Sequence, residues 1–189
     1  MGKEVWKGGT MVYPVPAAIV TCGASPKEWN MLTVAWTGTV CTNPPMLYIS
    51  VRPERYSYPI IERCGEFTLN LTTADMVRCV DWAGVRSGKD FNKWESTGFT
   101  PEKGEMVASP SLKESPLSIE CRVKQISLLG SHAMILADVL CLRADERFID
   151  SDTGKFSLEK AGLIAWSHGH YFRLGENLGH FGFSVKKST

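Results

Sequence analysis

Short runs of apolar and β-branched residues, each closed by turn formers, dominate this chain. They fall at residues 18–22, 32–35, 46–51, 67–71, 117–123, 133–142 and 163–166, and each predicts a strand. In Ser118-Ile119-Glu120-Cys121-Arg122-Val123 polar and apolar residues alternate, the period of a strand with one wet face. The two longest runs, around Ile119 and Ile135, flank residues 127–131 with Gly130 among them, which predicts an antiparallel hairpin or a bulged pair. Helical signals are fewer. Ser57-Tyr58-Pro59-Ile60-Ile61-Glu62-Arg63-Cys64-Gly65 offers a hydroxyl cap, an early proline and a glycine stop. Residues 73–84 open on Thr73, close on Gly84 and place Met76, Val77, Val80 and Ala83 at helical spacing. A third short helix is expected over 90–95. Strand–helix–strand alternation does not fill the chain, so a doubly wound parallel sheet is not expected. The pattern predicts a mainly β (α+β) chain: an antiparallel Greek-key barrel with short flanking helices, one domain over residues 1–189. The basic end, residues 184–189, is expected to fray.

Composition narrows the function classes. With 189 residues, 43% hydrophobic and 22% charged, the chain can bury a core without disulfides. A net charge of +1 gives no global field toward nucleic acid or an anionic membrane, so any bound anion needs a local cluster. The first ten residues are polar, with Lys3 and Lys7, and no stretch approaches the ~20 apolar residues of a membrane span. The expected location is the cytoplasm. The six cysteines form no C-x-x-C pair, the closest two being Cys64 and Cys79, so they read as reduced packing residues.

Four segments carry candidate chemistry. The first, Asn30-Met31-Leu32-Thr33-Val34-Ala35-Trp36 followed by Cys41 and Thr42, mixes hydroxyls with apolar residues. It can offer hydroxyls and main-chain N–H groups to a planar polar ligand with Trp36 as a wall; an ordinary strand entering the Pro44-Pro45 turn remains the alternative. The second, Ser50-Val51-Arg52-Pro53-Glu54-Arg55-Tyr56-Ser57, sets arginines and hydroxyls before a helix, as a phosphate site requires, or is a surface turn. The third, Arg86-Ser87-Gly88-Lys89-Asp90-Phe91-Asn92-Lys93, lacks P-loop spacing but can close over an anion, or is a solvated loop. In the fourth, Trp166-Ser167-His168-Gly169-His170-Tyr171, the two histidines would share one side of a strand, and lining a pocket is favoured over binding a metal. No Ser-His-Asp order, H-E-x-x-H, G-x-S-x-G or G-x-G-x-x-G is present.

Taken in order, these segments resemble the flavin reductase-like family, on its flavoredoxin-type side. The match is carried by Tyr13-Pro14-Val15-Pro16, Asn30 with Thr33-Val34-Ala35-Trp36, Asn43-Pro44-Pro45, Ser50-Val51-Arg52, Tyr56-Ser57, Ile61, Glu66-Phe67-Thr68-Leu69-Asn70, Ser87-Gly88-Lys89-Asp90 with Lys93, Glu120-Cys121 and Gly182-Phe183-Ser184-Val185. The resemblance implies an antiparallel six-stranded split β-barrel, a homodimer with two sites near the interface, and non-covalent FMN. It implies a cofactor site drawn from Asn30, Thr33, Val34, Ala35, Trp36, Cys41, Thr42, Ser50, Val51, Arg52, Arg55, Tyr56, Ser57, Ser87, Lys89, Asp90, Lys93, His168 and Tyr171. The implied activity is flavin or ferric-type reduction with NAD(P)H, or electron transfer with a redox protein. Hydride transfer needs no side-chain acid or base, so neither a catalytic side chain nor a metal is expected. A flavin-binding electron carrier without NAD(P)H activity is the rival reading. A metal-binding interaction domain using His168 and His170 is a third.

Overall fold

Fifteen strands and helices order residues 2–185, the part of the chain that this computed structural model describes. The expected tail at 184–189 lies outside the described residues from 186 onward. In chain order the elements are β1 (Val15–Pro16), β2 (Ala18–Cys22), β3 (Asn30–Val34), β4 (Thr37–Thr42), β5 (Pro45–Val51), α1 (Ser57–Cys64), β6 (Glu66–Leu71), α2 (Val77–Val85), α3 (Lys93–Thr97), β7 (Pro101–Glu102), β8 (Ser111–Leu112), β9 (Leu117–Leu128), β10 (Ala133–Ala144), β11 (Ile164–Ser167) and β12 (His170–Arg173). Among the described residues no helix is long and apolar enough to cross a membrane.

The main sheet is antiparallel, in the order β3-β2-β6-β9-β10-β5-β4. It has seven strands, where six were expected. Its two edge strands, β3 and β4, are joined by Ala35 and Trp36 alone. Three Cα–Cα steps, at 3.80 Å each, reach at most ~11 Å, so the sheet must curl until its edges meet. The main-chain N–H of Ser50 donates to the Trp36 carbonyl at 2.8 Å, which extends the β4–β5 ladder one rung beyond Thr37 and Ile49 toward β3. The result is a mainly β split barrel.

Alternation fills the inside. Val20, Leu32, Val34, Leu47, Ile49, Val51, Phe67, Leu69 and Ile135 form the barrel core, closed at one end by Ile60 and Ile61 of α1. The other face of β2 and β3 is buried too. Ile19 and Met31 pack with Met76, Val80 and Ala83 of the α2 region, with Phe99, Leu112 and Ile164. Gly65 ends α1 in the left-handed region at φ 67°, and its N–H donates to the Ile61 carbonyl at 2.8 Å, the stop expected there. The β9–β10 hairpin turns at Gly130, φ 76°, also as expected.

Several expectations change. Ser57 is no cap: Tyr56 holds the cap position, and the Ser57 hydroxyl accepts from the Asn30 amide instead. Residues 73–84 split into a 3-10 turn, Ala74–Met76, and α2, which runs through Gly84. A Cβ on Gly84 would stand 3.1 Å from that of Thr33, so this glycine serves close helix–strand packing rather than a stop. The third helix begins at Lys93, capped by Asn92. The face of β9 expected to be wet is covered in its first half only: Ser118 and Glu120 are buried, Glu120 accepting the main-chain N–H of Glu105 and Met106 at 2.9 and 2.6 Å, while Arg122 on the same face stays exposed.

Candidate functional site

The seam where the barrel edges meet opens as a cleft of about 270 Å³. Its floor is β3 and its exit (Leu32, Thr33, Val34, Ala35 and Trp36); its opposite side is Ser50, Val51, Arg52 and Arg55. Two further residues complete it: His132, which the sequence had not marked, and Trp166, which lay in a marked segment without being assigned to the site. His132 enters because Ala133 pairs with Val51, which sets His132 beside Arg52; its ring lies 4.7 Å from that of Trp36. Burial first, then the charge of Arg52, holds the His132 imidazole below its usual range. Trp166 enters on β11, held by Tyr13 at 5.3 Å between ring centroids. The small sheet β1-β11-β12 thus lays one aromatic wall over the seam and Trp36 supplies another.

A second pocket of about 120 Å³ continues from the first, sharing Leu32, Thr33 and Arg55. It is rich in anion donors: Arg55, Ser57, Arg86, Ser87 and Lys93, against the single carboxylate of Glu54. Their placement follows from local packing. Arg55 donates to the Gly84 carbonyl at 3.1 Å, which fixes its stem against α2. Ser57 accepts from Asn30 Nδ2 at 2.8 Å, which leaves its own proton for a neighbour or a ligand. Beside it the buried Cys22 thiol is pushed up to about 12 by burial and stays neutral. Lys93 is buried, with Nζ donating to the Met31 and Ala83 carbonyls at 2.9 and 2.6 Å. Desolvation, then the nearby Arg55 charge, lowers its ammonium from 10.5 to about 8. An anion here would restore that charge. This donor set fits a phosphate at the end of a ligand whose planar part lies along the seam.

Of the residues expected from the sequence, Thr33, Val34, Ala35, Trp36, Ser50, Val51, Arg52, Arg55, Tyr56, Ser57, Ser87 and Lys93 line these two pockets. Asn30 stands just behind, holding Ser57. Lys89 and Asp90 line a neighbouring cleft with Asn30, Tyr56 and Lys93. Cys41 and Thr42 lie at the turn end of the β4–β5 hairpin, paired with Met46 and Pro45, and are not brought to the seam. His168 and His170 do not share a strand face. His168 sits in the β11–β12 turn at φ 48°, stacked 4.6 Å from Tyr13, while His170 begins β12. Tyr171 pairs with Trp166 across β11–β12, and its hydroxyl donates to Asp81 at 3.2 Å, behind the aromatic wall.

The comparisons agree with this geometry. The family model for the "Flavin reductase like domain" matches residues 10–175. The flavoredoxin of Desulfovibrio vulgaris (Miyazaki F) superposes with a TM-score of 0.88 and 28% identity, over 97% of this chain and 99% of that one. An FMN-binding protein of Thermus thermophilus superposes with a TM-score of 0.79 at 20% identity, over 95% and 97% of the two chains. An uncharacterized protein of Archaeoglobus fulgidus is 28% identical over 150 residues, 79% of this chain and 84% of its own.

Proposed function

The chain belongs to the flavin reductase-like family, and from that premise we propose that it holds FMN non-covalently along the barrel seam and works as an NAD(P)H-dependent oxidoreductase. One observation carries this reading: the aromatic cleft opens directly into a pocket of three cationic side chains and two serines, in the order that a ring system with a terminal phosphate requires. When bound, FMN supplies two-electron redox chemistry, accepting a hydride and passing electrons to an acceptor.

The residues would divide the work by position. Trp36 and Trp166 wall the cleft and exclude water from it. The Ser50 hydroxyl has no protein partner among the described residues and faces the ligand space. Thr33 donates to the Val80 carbonyl at 2.5 Å, which leaves its oxygen lone pairs for ligand hydroxyls. Arg55, Ser57, Arg86, Ser87 and Lys93 neutralise and orient the phosphate. No side chain is assigned a proton-transfer step. Cys41, Thr42, His168 and Tyr171 stand outside the lining, and any contact they make would be at its margin.

The proposal extends to a homodimer. Trp6, Met11, Val12, Phe172, Leu174, Leu178, Phe181 and Phe183 leave large apolar surfaces exposed at both chain ends, surfaces that a second copy would cover. The deciding experiment is anaerobic titration of the FMN-loaded protein with NADH and NADPH. Bleaching of the flavin absorbance is expected. A flavin that stays oxidised under both, yet is reduced by dithionite, would replace the reductase reading with that of an electron carrier loaded by a redox protein.

A further inference from the structure

The seam cleft holds a cation that the phosphate pocket does not use. Two arginines line the cleft, Arg52 and Arg55, and no carboxylate does. Arg55 turns toward α2: its guanidinium donates to the Gly84 carbonyl at 3.1 Å, and the phosphate pocket shares it. Arg52 is absent from that pocket's lining. Its side chain is exposed at the mouth of the seam and joins no ion pair among the described residues. Glu54, the nearest carboxylate in sequence, lines the phosphate pocket instead.

The backbone fixes where this cation starts. Val51 ends β5 and pairs with Ala133, so Arg52 leaves the strand beside His132. The Arg52 carbonyl then accepts the Arg55 N–H at 3.0 Å, a turn that sends the two arginines to different spaces. Around Arg52 stand flat surfaces instead of counter-charges: Trp36, Trp166 and the half-buried His132. Burial and the Arg52 charge hold His132 below its usual range, so near neutral pH it adds no second charge. A guanidinium free of protein partners beside aromatic walls suits a flat molecule with an oxyanion at one edge. The rings stack on the walls, and the planar fork gives two parallel hydrogen bonds to a carboxylate or sulfonate. The FMN phosphate, held in the other pocket, does not supply that group.

We propose that Arg52 sets the specificity of the seam for its electron acceptor, a flat conjugated molecule whose carboxylate or sulfonate docks on this guanidinium. The inference rests on the flavin reading of the seam. With a quinone as acceptor, a hydride passes from the reduced flavin and a second proton comes from solvent. The quinone leaves as hydroquinone and the flavin returns oxidised.

Calorimetry on the oxidised, FMN-loaded protein compares naphthalene-2-sulfonate with its uncharged counterpart naphthalene-2-sulfonamide and with inorganic sulfate. The aryl sulfonate is expected to bind at least tenfold more tightly than either. Arg52→Gln should bring it within threefold of the sulfonamide, and Arg52→Lys, which keeps the charge, should retain part of the preference. In anaerobic reoxidation of the reduced protein, the rate ratio of 1,4-naphthoquinone-2-sulfonate to 1,4-naphthoquinone should fall at least tenfold in Arg52→Gln. Equal wild-type binding of the two ring compounds, or a preference that Arg52→Gln leaves in place, would overturn the proposal. Sulfate binding as tightly as the aryl sulfonate would do the same, because the site would then read charge alone. Loss of FMN from Arg52→Gln would make Arg52 a cofactor ligand and also overturn it. Should FMN not bind the wild-type chain, the flavin reading fails separately. The same three compounds titrated into flavin-free protein then still decide Arg52: a preference abolished by Arg52→Gln sustains an aryl-anion site, and one unmoved removes it.

Discussion

Lys93 is an ammonium buried against two main-chain carbonyls with no carboxylate beside it, a costly arrangement unless an anion completes it. Its folded-state value is lowered from 10.5 to about 8, so between those pH values the unfolded chain holds a proton that the folded chain has released. The Lys93 contribution to stability therefore rises with pH across that window, and its burial cost is felt in full below about pH 8. Phosphate binding works the other way, since it needs the charged form. FMN affinity is predicted to fall above pH 8 by up to about tenfold per unit. Denaturant melts and FMN titrations from pH 7 to 10 check both, and Lys93→Met should flatten both slopes. Arg55 and Ser57 face the same pocket, and on the proposed reading each would give one charge-assisted hydrogen bond to the FMN phosphate. Arg55→Ala or Ser57→Ala should weaken FMN binding by about 1.5–3 kcal/mol, measured by fluorescence quenching. Unchanged affinity in both variants would move the phosphate elsewhere.

Elements meet at the site through close contacts that tolerate no added volume. A Cβ on Gly88 would overlap the Asn30 amide and force it off Ser57. Gly88→Ala is predicted to cost about 1–3 kcal/mol of stability and at least tenfold in FMN affinity, by denaturant melts and titration. Gly175→Ala, with nothing within 4 Å, should change neither. The same close packing explains what the sequence showed and what it hid. Strands with large alternating residues, such as β5 and β6, announce themselves because one face is core. β4 did not: Thr37-Gly38-Thr39-Val40-Cys41-Thr42 is an edge strand paired on one side only, with Thr39 and Val40 in solvent. Glu120 looked like a wet-face residue because the loop that covers it lies 14 and 15 residues away in sequence. Trp36, Arg55 and Ser57 were legible as candidates for the proposed site because each sits in a local motif, and all three line the two pockets. His132 was not, since only the β5–β10 register brings it to Trp36. Trp166 lay within a marked segment, two residues before His168, but its role came from the small sheet that turns it over the seam.

At the scale of the molecule, the barrel is split between its edge strands β3 and β4, and the gap beside that split is where the proposed cofactor lies. The aromatic wall over the gap is held by β1 and β12, and the chain flanking both leaves Trp6, Met11, Phe181 and Phe183 in water. Light scattering of the FMN-loaded protein at micromolar concentration is predicted to give twice the 20.9 kDa chain mass. A single-chain mass with FMN bound would show that one copy completes the site. The account depends above all on a ligand that needs both the aromatic cleft and the cationic pocket. The direct measurement is a titration of flavin-free protein with FMN and with riboflavin, which lacks the phosphate. One FMN per chain should bind, and riboflavin at least tenfold more weakly, with that gap closing in Arg55→Ala. Equal affinity for the two, or no saturable binding of either, would contradict the assignment of the seam.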